Sequence, residues 1–224
     1  MVPAGSKTVT YEKQLEDPLA YLPCSSISEY RKGQIVYDQD QPSNGIHLVI
    51  QGKIKVCRPS EDGRQVVIDI YQRDEFFGES GLLGLTRRGE QAMALETTQL
   101  MSWTTAEIED VTQRRPQLAL ALLQLLTLRC VDFGQRIESF SVDNIERRLI
   151  RTLLRFAERL GEQGEDGATR MPPFTHELLS QYVGTSREII TQYMNQFRRK
   201  GYLRYSRKGI EIYSDAMREW LRAA

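Results

Sequence analysis

Arg187, Glu188, Thr191 and Gln192 are spaced so that a helix would carry all four on one face of its first turns. The chemistry open to that group is recognition rather than bond-making. An arginine fork fits guanine O6 and N7, and a bidentate contact of that kind is worth about 1 to 3 kcal/mol of base discrimination. Arg187 gains nothing from the dipole of its own helix, whose positive end lies beside it. Glu188 carries a second reading, since Thr185 three positions earlier would complete a capping box with it. Thr175 reads as the cap of a preceding helix and Ser186 as an early-turn residue, and both hydroxyls also lie where a phosphate would meet helix amides.

Two short helices must position these groups. Leu178, Leu179, Tyr182 and Val183 recur at the three-to-four spacing of one buried face, as do Ile189, Ile190, Met194 and Phe197. Gly184 separates the two stripes at the sharp turn, and small Ser180 lets the helices approach. Tyr202 to Tyr205 and Ile210 to Tyr213 predict two strands joined by Ser206, Arg207, Lys208 and Gly209, a wing behind the helices. From Phe174 to Ile210 there are seven bases and two acids, a local charge of +5 in a chain whose 30 basic and 30 acidic residues cancel. Arg207 and Lys208 in the wing would add salt-dependent attraction to phosphates. The segment as a whole predicts a helix-turn-helix for double-stranded DNA.

Other chemistries find less material. Gly78-Glu79-Ser80-Gly81 lacks the spacer of a G-x-S-x-G nucleophile elbow, and the two histidines, His47 and His176, leave no evident general base, so no enzyme is expected. Cys24, Cys57 and Cys130 are odd in number and far apart, which argues against a disulfide framework and for a reducing cytoplasm. They also supply too few ligands for an iron-sulfur cluster, and no metal site is predicted. No secretory signal opens the chain, and the apolar run Leu118 to Leu128 is too short to span a bilayer, so no membrane is expected.

Upstream the pattern changes to short alternating runs, Gln34 to Tyr37, Ile46 to Ile50, Lys53 to Cys57, Val66 to Tyr71 and Gln91 to Trp103, punctuated by glycines. Glu61 to Arg64 reads as a hairpin turn, and such spacing predicts an antiparallel sandwich or barrel. Pro116 then opens a long helix in which Ala119, Leu123, Leu126, Cys130, Phe133, Ile137 and Phe140 alternate spacings of four and three, the seam of a two-stranded coiled coil. Ser141 to Asp143 would form a hinge, with Asp143 and Glu146 capping a helix from Asn144 to Leu160, and 161–170 would be a polar loop.

The order of these parts, with the motifs GIHLVIQGKIKV (45–56), DGRQVVI (62–68), DEFFGESGLL (74–83) and VGTSREIITQYMNQF (183–197), resembles the cyclic AMP receptor and fumarate-nitrate regulator (Crp/Fnr) family of bacterial transcription factors from about Pro23 onward. The resemblance implies an α+β chain: a mobile segment 1–22, an N-terminal β-roll of the cyclic-nucleotide-binding jelly-roll kind over 23–115, a dimerisation helix over 116–141 and a C-terminal winged helix-turn-helix over 142–224. It implies that Arg187, Glu188 and Gln192 read bases, with Thr191 near a contact used in part of the family, and that Thr175, His176 and Ser186 meet phosphates. Gln192 stands where the family often has arginine. Partners implied are DNA, a second copy of the chain and RNA polymerase.

By the same resemblance the effector pocket involves Gly78, Glu79, Ser80, Arg87, Arg88, Glu90, Gln91 and Phe133. Members that bind cyclic AMP follow the Gly-Glu pair with an Arg-Ser pair on the cyclic phosphate, and here Glu90 and Gln91 stand there. A carboxylate would repel that phosphate. The adenine-reaching hydroxyls of the long helix fall near Phe133 and Gly134, which cannot replace them. These departures argue against cyclic AMP. Arg87 and Arg88 could grip another anion or simply face solvent, so a small-molecule effector stays open and the cofactor unknown. The competing reading is a ligand-binding module whose helix-turn-helix serves protein contacts.

Overall fold

The computed structural model describes residues 15–42, 44–60, 63–84, 86–164, 166–206 and 209–223. The expected mobile segment up to residue 14, the hairpin residues Glu61 and Asp62, and the wing residues Arg207 and Lys208 lie outside them. The chain forms two compact units divided between Asp132 and Phe133.

The first unit carries eight strands among the described residues: β1 (Ile27–Tyr30), β2 (Ile35–Tyr37), β3 (Gly45–Gln51), β4 (Lys53–Pro59), β5 (Gln65–Gln72), β6 (Phe76–Phe77), β7 (Gln91–Ala94) and β8 (Thr98–Thr104). They form two antiparallel sheets, ordered β1-β8-β3-β6 and β2-β7-β4-β5. Both contribute to one core of Tyr37, Val49, Ile54, Val56, Tyr71, Phe77, Ala92, Ala94 and Leu100. On the outer face of the first sheet, Ile46, Leu48, Phe76 and Trp103 pack against Ile108, Leu118 and Leu122 of two helices, α1 (Thr105–Arg114) and α2 (Gln117–Val142). Strand β3 is therefore covered on both faces, which is why its sequence runs almost continuously apolar.

Two expectations change here. The predicted run Gln91 to Trp103 is two strands in different sheets, because the chain leaves its line at 95–97, where Leu95 donates to the Lys53 carbonyl at 2.9 Å. Helix α1 was not predicted, although Thr104 and Glu107 form its capping box in both directions, at 3.2 and 2.7 Å.

The second unit holds α3 (Ile145–Leu160), β9 (Glu162–Gln163), β10 (Thr169–Met171), α4 (His176–Val183), α5 (Arg187–Arg199), β11 (Leu203–Ser206), β12 (Gly209–Ile212) and α6 (Ser214–Ala223). Its strands form an antiparallel sheet ordered β11-β12-β10-β9. The stretch 161–170, expected as loop, thus supplies β9 and the start of β10. Asn144, not Asp143, caps α3, accepting from the Arg147 amide at 2.9 Å. Asp143 instead accepts from Ser139 Oγ (2.6 Å), Arg147 Nε (3.1 Å) and Arg151 Nε (2.7 Å). Burial alone would raise its pKa, but these three hydrogen bonds hold it below the usual carboxylate value. These bonds tie the end of α2 to α3 at the position expected as a hinge.

Helix α2 is longer than the apolar run that signalled it. By length and composition alone it would suffice to cross a bilayer, which corrects the sequence expectation, although long helices of soluble proteins meet the same test. Five of its seven expected seam residues, Ala119, Leu123, Cys130, Ile137 and Phe140, are exposed. Leu126 is half-buried and lines a small cavity with Leu122, Leu125 and Arg129, while Phe133 is half-buried. The exposed line runs through Leu120, Leu123, Thr127, Cys130, Gly134, Ile137 and Ser141, with Leu123 60% and Ile137 66% exposed. Leu126 and Phe133 stand one helical step to the side, and Phe140, though 42% exposed, meets Gly184. All three cysteines are free.

Candidate nucleic-acid interface

Thr175 caps α4, accepting from the Leu178 amide at 3.1 Å, and Gly184 ends it in the left-handed conformation at φ 74° and ψ 52°. A β-carbon at Gly184 would also stand 2.9 Å from the Phe140 ring. Ser186, not Thr185, caps α5 by accepting from the Ile189 amide at 3.3 Å, so the expected capping box is absent. Leu179, Val183, Ile190, Met194 and Phe197 are buried, which fixes the rotation of α5. Arg187, Glu188 and Gln192 are left exposed on its first turns.

Thr191 differs from those three. Its hydroxyl donates to the Arg187 carbonyl at 2.9 Å and lies 2.8 Å from His176 Nδ1, so it is already engaged within the unit. His176 is half-buried, with its ring edge-on to Tyr205 at 5.6 Å between centroids. Burial first, and the Arg187 charge second, lower its pKa below the ordinary histidine value and favour the neutral ring. Glu188 is exposed, and hydrogen bonds from its own amide and from the Ser186 hydroxyl hold its carboxyl below the usual range. Ser186 and Thr175 are exposed at the two helix starts. Tyr205, missed in the sequence, links the wing to α5 by donating to Asn195 Oδ1 at 3.0 Å, under Arg198 at 5.3 Å from its ring centre.

The end of α2 belongs to this unit. Arg136 donates to the Tyr182 carbonyl at 2.9 Å, and its guanidinium stacks 3.9 Å from the Tyr182 ring. With Phe140 against Gly184, the helix-turn-helix is clamped to the last turns of α2. Periodicity offered no signal for this clamp.

In the first unit the residues expected around an effector converge, with corrections. Arg87 is exposed, 3.8 Å from the equally exposed Asp40. Arg88, read as a solvent-facing alternative, is only 4% exposed. Its backbone pairs with Asp40 and Gln41, which turns the side chain inward. Its guanidinium lies 3.8 Å over Tyr37, donates to the carbonyls of Gly78 (3.4 Å) and Gly45 (3.3 Å) and to Ser80 Oγ (3.3 Å), and stands 3.9 Å from Glu90. Gly45 and Gly81 pass so closely that a β-carbon on Gly81 would fall 2.1 Å from the Gly45 carbonyl oxygen, so only glycine fits there.

Glu90 accepts from the Tyr37 hydroxyl (3.1 Å) and Ser80 Oγ (3.0 Å). Burial first, and the Glu90 charge next, push the Tyr37 phenol far above its usual pKa, so it remains a donor. Gln91 is held by Asp38 at 2.8 Å, and Glu79 by an ion pair with Arg129 of α2. Phe133, assigned to the pocket by resemblance, begins the other unit.

Comparison with known proteins supplies the remaining observation. The cyclic nucleotide-binding domain profile matches residues 27–115, and the Crp-like helix-turn-helix domain profile matches residues 147–216. The chain belongs to the Crp/Fnr family. A CRP-like cAMP-activated global transcriptional regulator of Mycobacterium tuberculosis is 27% identical over 85% of this chain and 84% of its own length. A global nitrogen regulator of Synechococcus elongatus is 24% identical over 84% and 86%. A solved Crp/Fnr-family transcriptional regulator from Thermus thermophilus superposes with a TM-score of 0.73 at 23% identity, covering 89% of this chain and 99% of that one.

This Crp/Fnr protein is therefore a DNA-binding transcriptional regulator, not an enzyme, with a cyclic-nucleotide-binding-like domain ahead of its helix-turn-helix. Among the described residues no group of His, Cys, Asp and Glu side chains could hold a metal ion.

Proposed function

We propose that this regulator works as a homodimer whose two α5 helices enter successive major grooves, about 34 Å apart, on a near-palindromic site. Arg187, Glu188 and Gln192 read base edges. Thr175, His176, Ser186 and the wing, with Arg207 and Lys208, meet phosphates. Thr191 holds His176 and the first turn of α5 in place rather than reading a base. The observation that carries the reading is the joint exposure of Arg187, Glu188 and Gln192 on the start of a helix whose opposite face is fully packed.

The exposed line from Leu120 to Ser141 supports the second copy, since spacings of four and three on a helix are those of a two-stranded seam. The exposed charges of Arg187, Arg198, Arg199 and Arg204 suit a polyanion better than a protein groove, which favours DNA over the ligand-module alternative. Control of transcription, in the cytoplasm, would then pass through contact with RNA polymerase at the bound promoter.

Selection of duplexes from random pools tests the proposal, and enrichment of a two-part palindrome is the expected result. Enrichment of nothing, or of unpaired half-sites, would defeat it. Ile137→Asp should sediment as a monomer and lose full-site binding.

A further inference from the structure

Glu90 is not idle in this fold. It accepts from two donors of the β-unit, the Tyr37 hydroxyl and the Ser80 hydroxyl, and is ion-paired at 3.9 Å with the Arg88 guanidinium. Arg88 is itself sealed in by the carbonyls of Gly78 and Gly45 and by the Tyr37 face. Beyond Tyr37 the interior is closed by rings, His47 stacked at 5.7 Å from Tyr37 and Phe77 at 5.1 Å from His47. On the side of α2, Glu79 pairs with Arg129, which also donates to the Phe76 carbonyl. One cavity beside Glu79 and Arg129, about 10 Å³, is lined by Ile46, Phe76, Leu122 and Leu126 among others. That is room for one water at most.

A carboxylate surrounded by two hydroxyl donors and a buried guanidinium is the arrangement a protein offers to a bound anion. Here the anion is covalently part of the chain. We propose that the β-domain is internally liganded, with the Glu90 carboxylate occupying the seat of a small anionic effector and Arg88 as its counter-cation. The regulator consequently binds DNA without any small molecule. A buried arginine and a partly buried glutamate each need the other, because removing one leaves the second desolvated and less compensated. The inference rests on the DNA-binding reading above, and it concerns only how that reading is controlled.

The test uses the full chain. Protein unfolded in urea, dialysed and refolded to strip small molecules should bind its selected duplex within about twofold of the untreated protein. Cyclic AMP, cyclic GMP and 2-oxoglutarate should each change that affinity by less than about twofold, well short of the roughly 5- to 150-fold coupling typical of an effector. Binding lost on stripping and restored by one of these, or by a heated cell extract, would overturn the proposal.

In a second arm, Glu90→Ala leaves an empty anion seat, and the thermal midpoint of the β-unit, followed by Trp103 fluorescence, should fall. Acetate or formate should restore it where chloride at equal ionic strength does not. Should Glu90→Ala not fold, Glu90→Asp and Glu90→Gln replace it, with the shortened acid expected to be the more stable of the two. An unchanged midpoint in Glu90→Ala, equal recovery with chloride, or glutamine equalling the acid would each refute the internal anion. Failure of the untreated protein to bind any selected duplex would count against the DNA reading alone, since the acetate arm is read without DNA.

Discussion

Gly184→Ala would test the turn on which the recognition helix depends. At φ 74° and ψ 52° an alanine sits in the left-handed region, at about 1 to 2 kcal/mol. Its β-carbon would also stand 2.9 Å from Phe140 Cε1, closer than side chains tolerate, so the ring or the helix must move. Overpacking of that kind costs about 1 to 3 kcal/mol. The sum is about 2 to 5 kcal/mol.

The two parts separate in a cycle with Phe140→Ala, where the steric part vanishes and the backbone part of about 1 to 2 kcal/mol stays. Urea unfolding of the full chain in a Trp103→Phe background, followed through Trp220 of α6, reads the unit concerned. Equal costs in both backgrounds would show that Phe140 is not what the new methyl meets. No cost in either would show that the turn is not left-handed at all.

Three further outcomes are expected. Arg187→Ala should flatten preference at one base pair per half-site by about 1 to 3 kcal/mol while leaving the other positions ordered, as read by competition with single-substituted duplexes. Arg136→Ala, which releases the Tyr182 carbonyl and ring, should widen the range of half-site spacings bound more than it weakens the best one, because the clamp fixes each recognition helix to its own α2.

Third, the β-unit should lose stability on acidification. Burial first, and Arg88 second, push His47 down to about 4 from an ordinary 6.5, so the unfolded chain takes the proton first. The contribution, at most about 3 kcal/mol, is complete above 6.5 and lost as pH falls toward 4, and His47→Gln should flatten that slope in denaturation curves.

Much of the interface was legible because it obeys period rules. The apolar stripes of α4 and α5 announced two helices, and the burial of Leu179, Ile190 and Phe197 on one side left Arg187 and Gln192 no other place than the surface. Cap assignments slipped by one residue at Ser186 and at Asn144, since serine, threonine, aspartate and asparagine are near-equivalent caps and only the backbone selects among neighbours. Helix α1 went unread although Thr104 and Glu107 spelled out its capping box; of Thr105–Arg114 only Ile108 is buried.

Two residues of the predicted seam, Leu126 and Phe133, are half-buried within the chain itself. Helix α2 is apolar on several sides, and a heptad count cannot tell which leucines the chain keeps for itself. Arg88 was unreadable in a stronger sense. An arginine in a polar loop faces water by default, and its burial here depends on Asp40 and Gln41, far off in sequence, pairing with its backbone.

Gly134 sits on the exposed line of α2, and a β-carbon built there meets nothing within 4 Å in the single chain. A mid-helix glycine sacrifices about 1 kcal/mol of helical propensity, so alanine at this position should toughen the solitary polypeptide. If twin rods cross at that bare spot, the same methyl would wedge them apart. Monomer hardiness and oligomer grip would then move in opposite directions from a single added carbon, a divergence that ties a conformational weakness in one chain to intimacy between two.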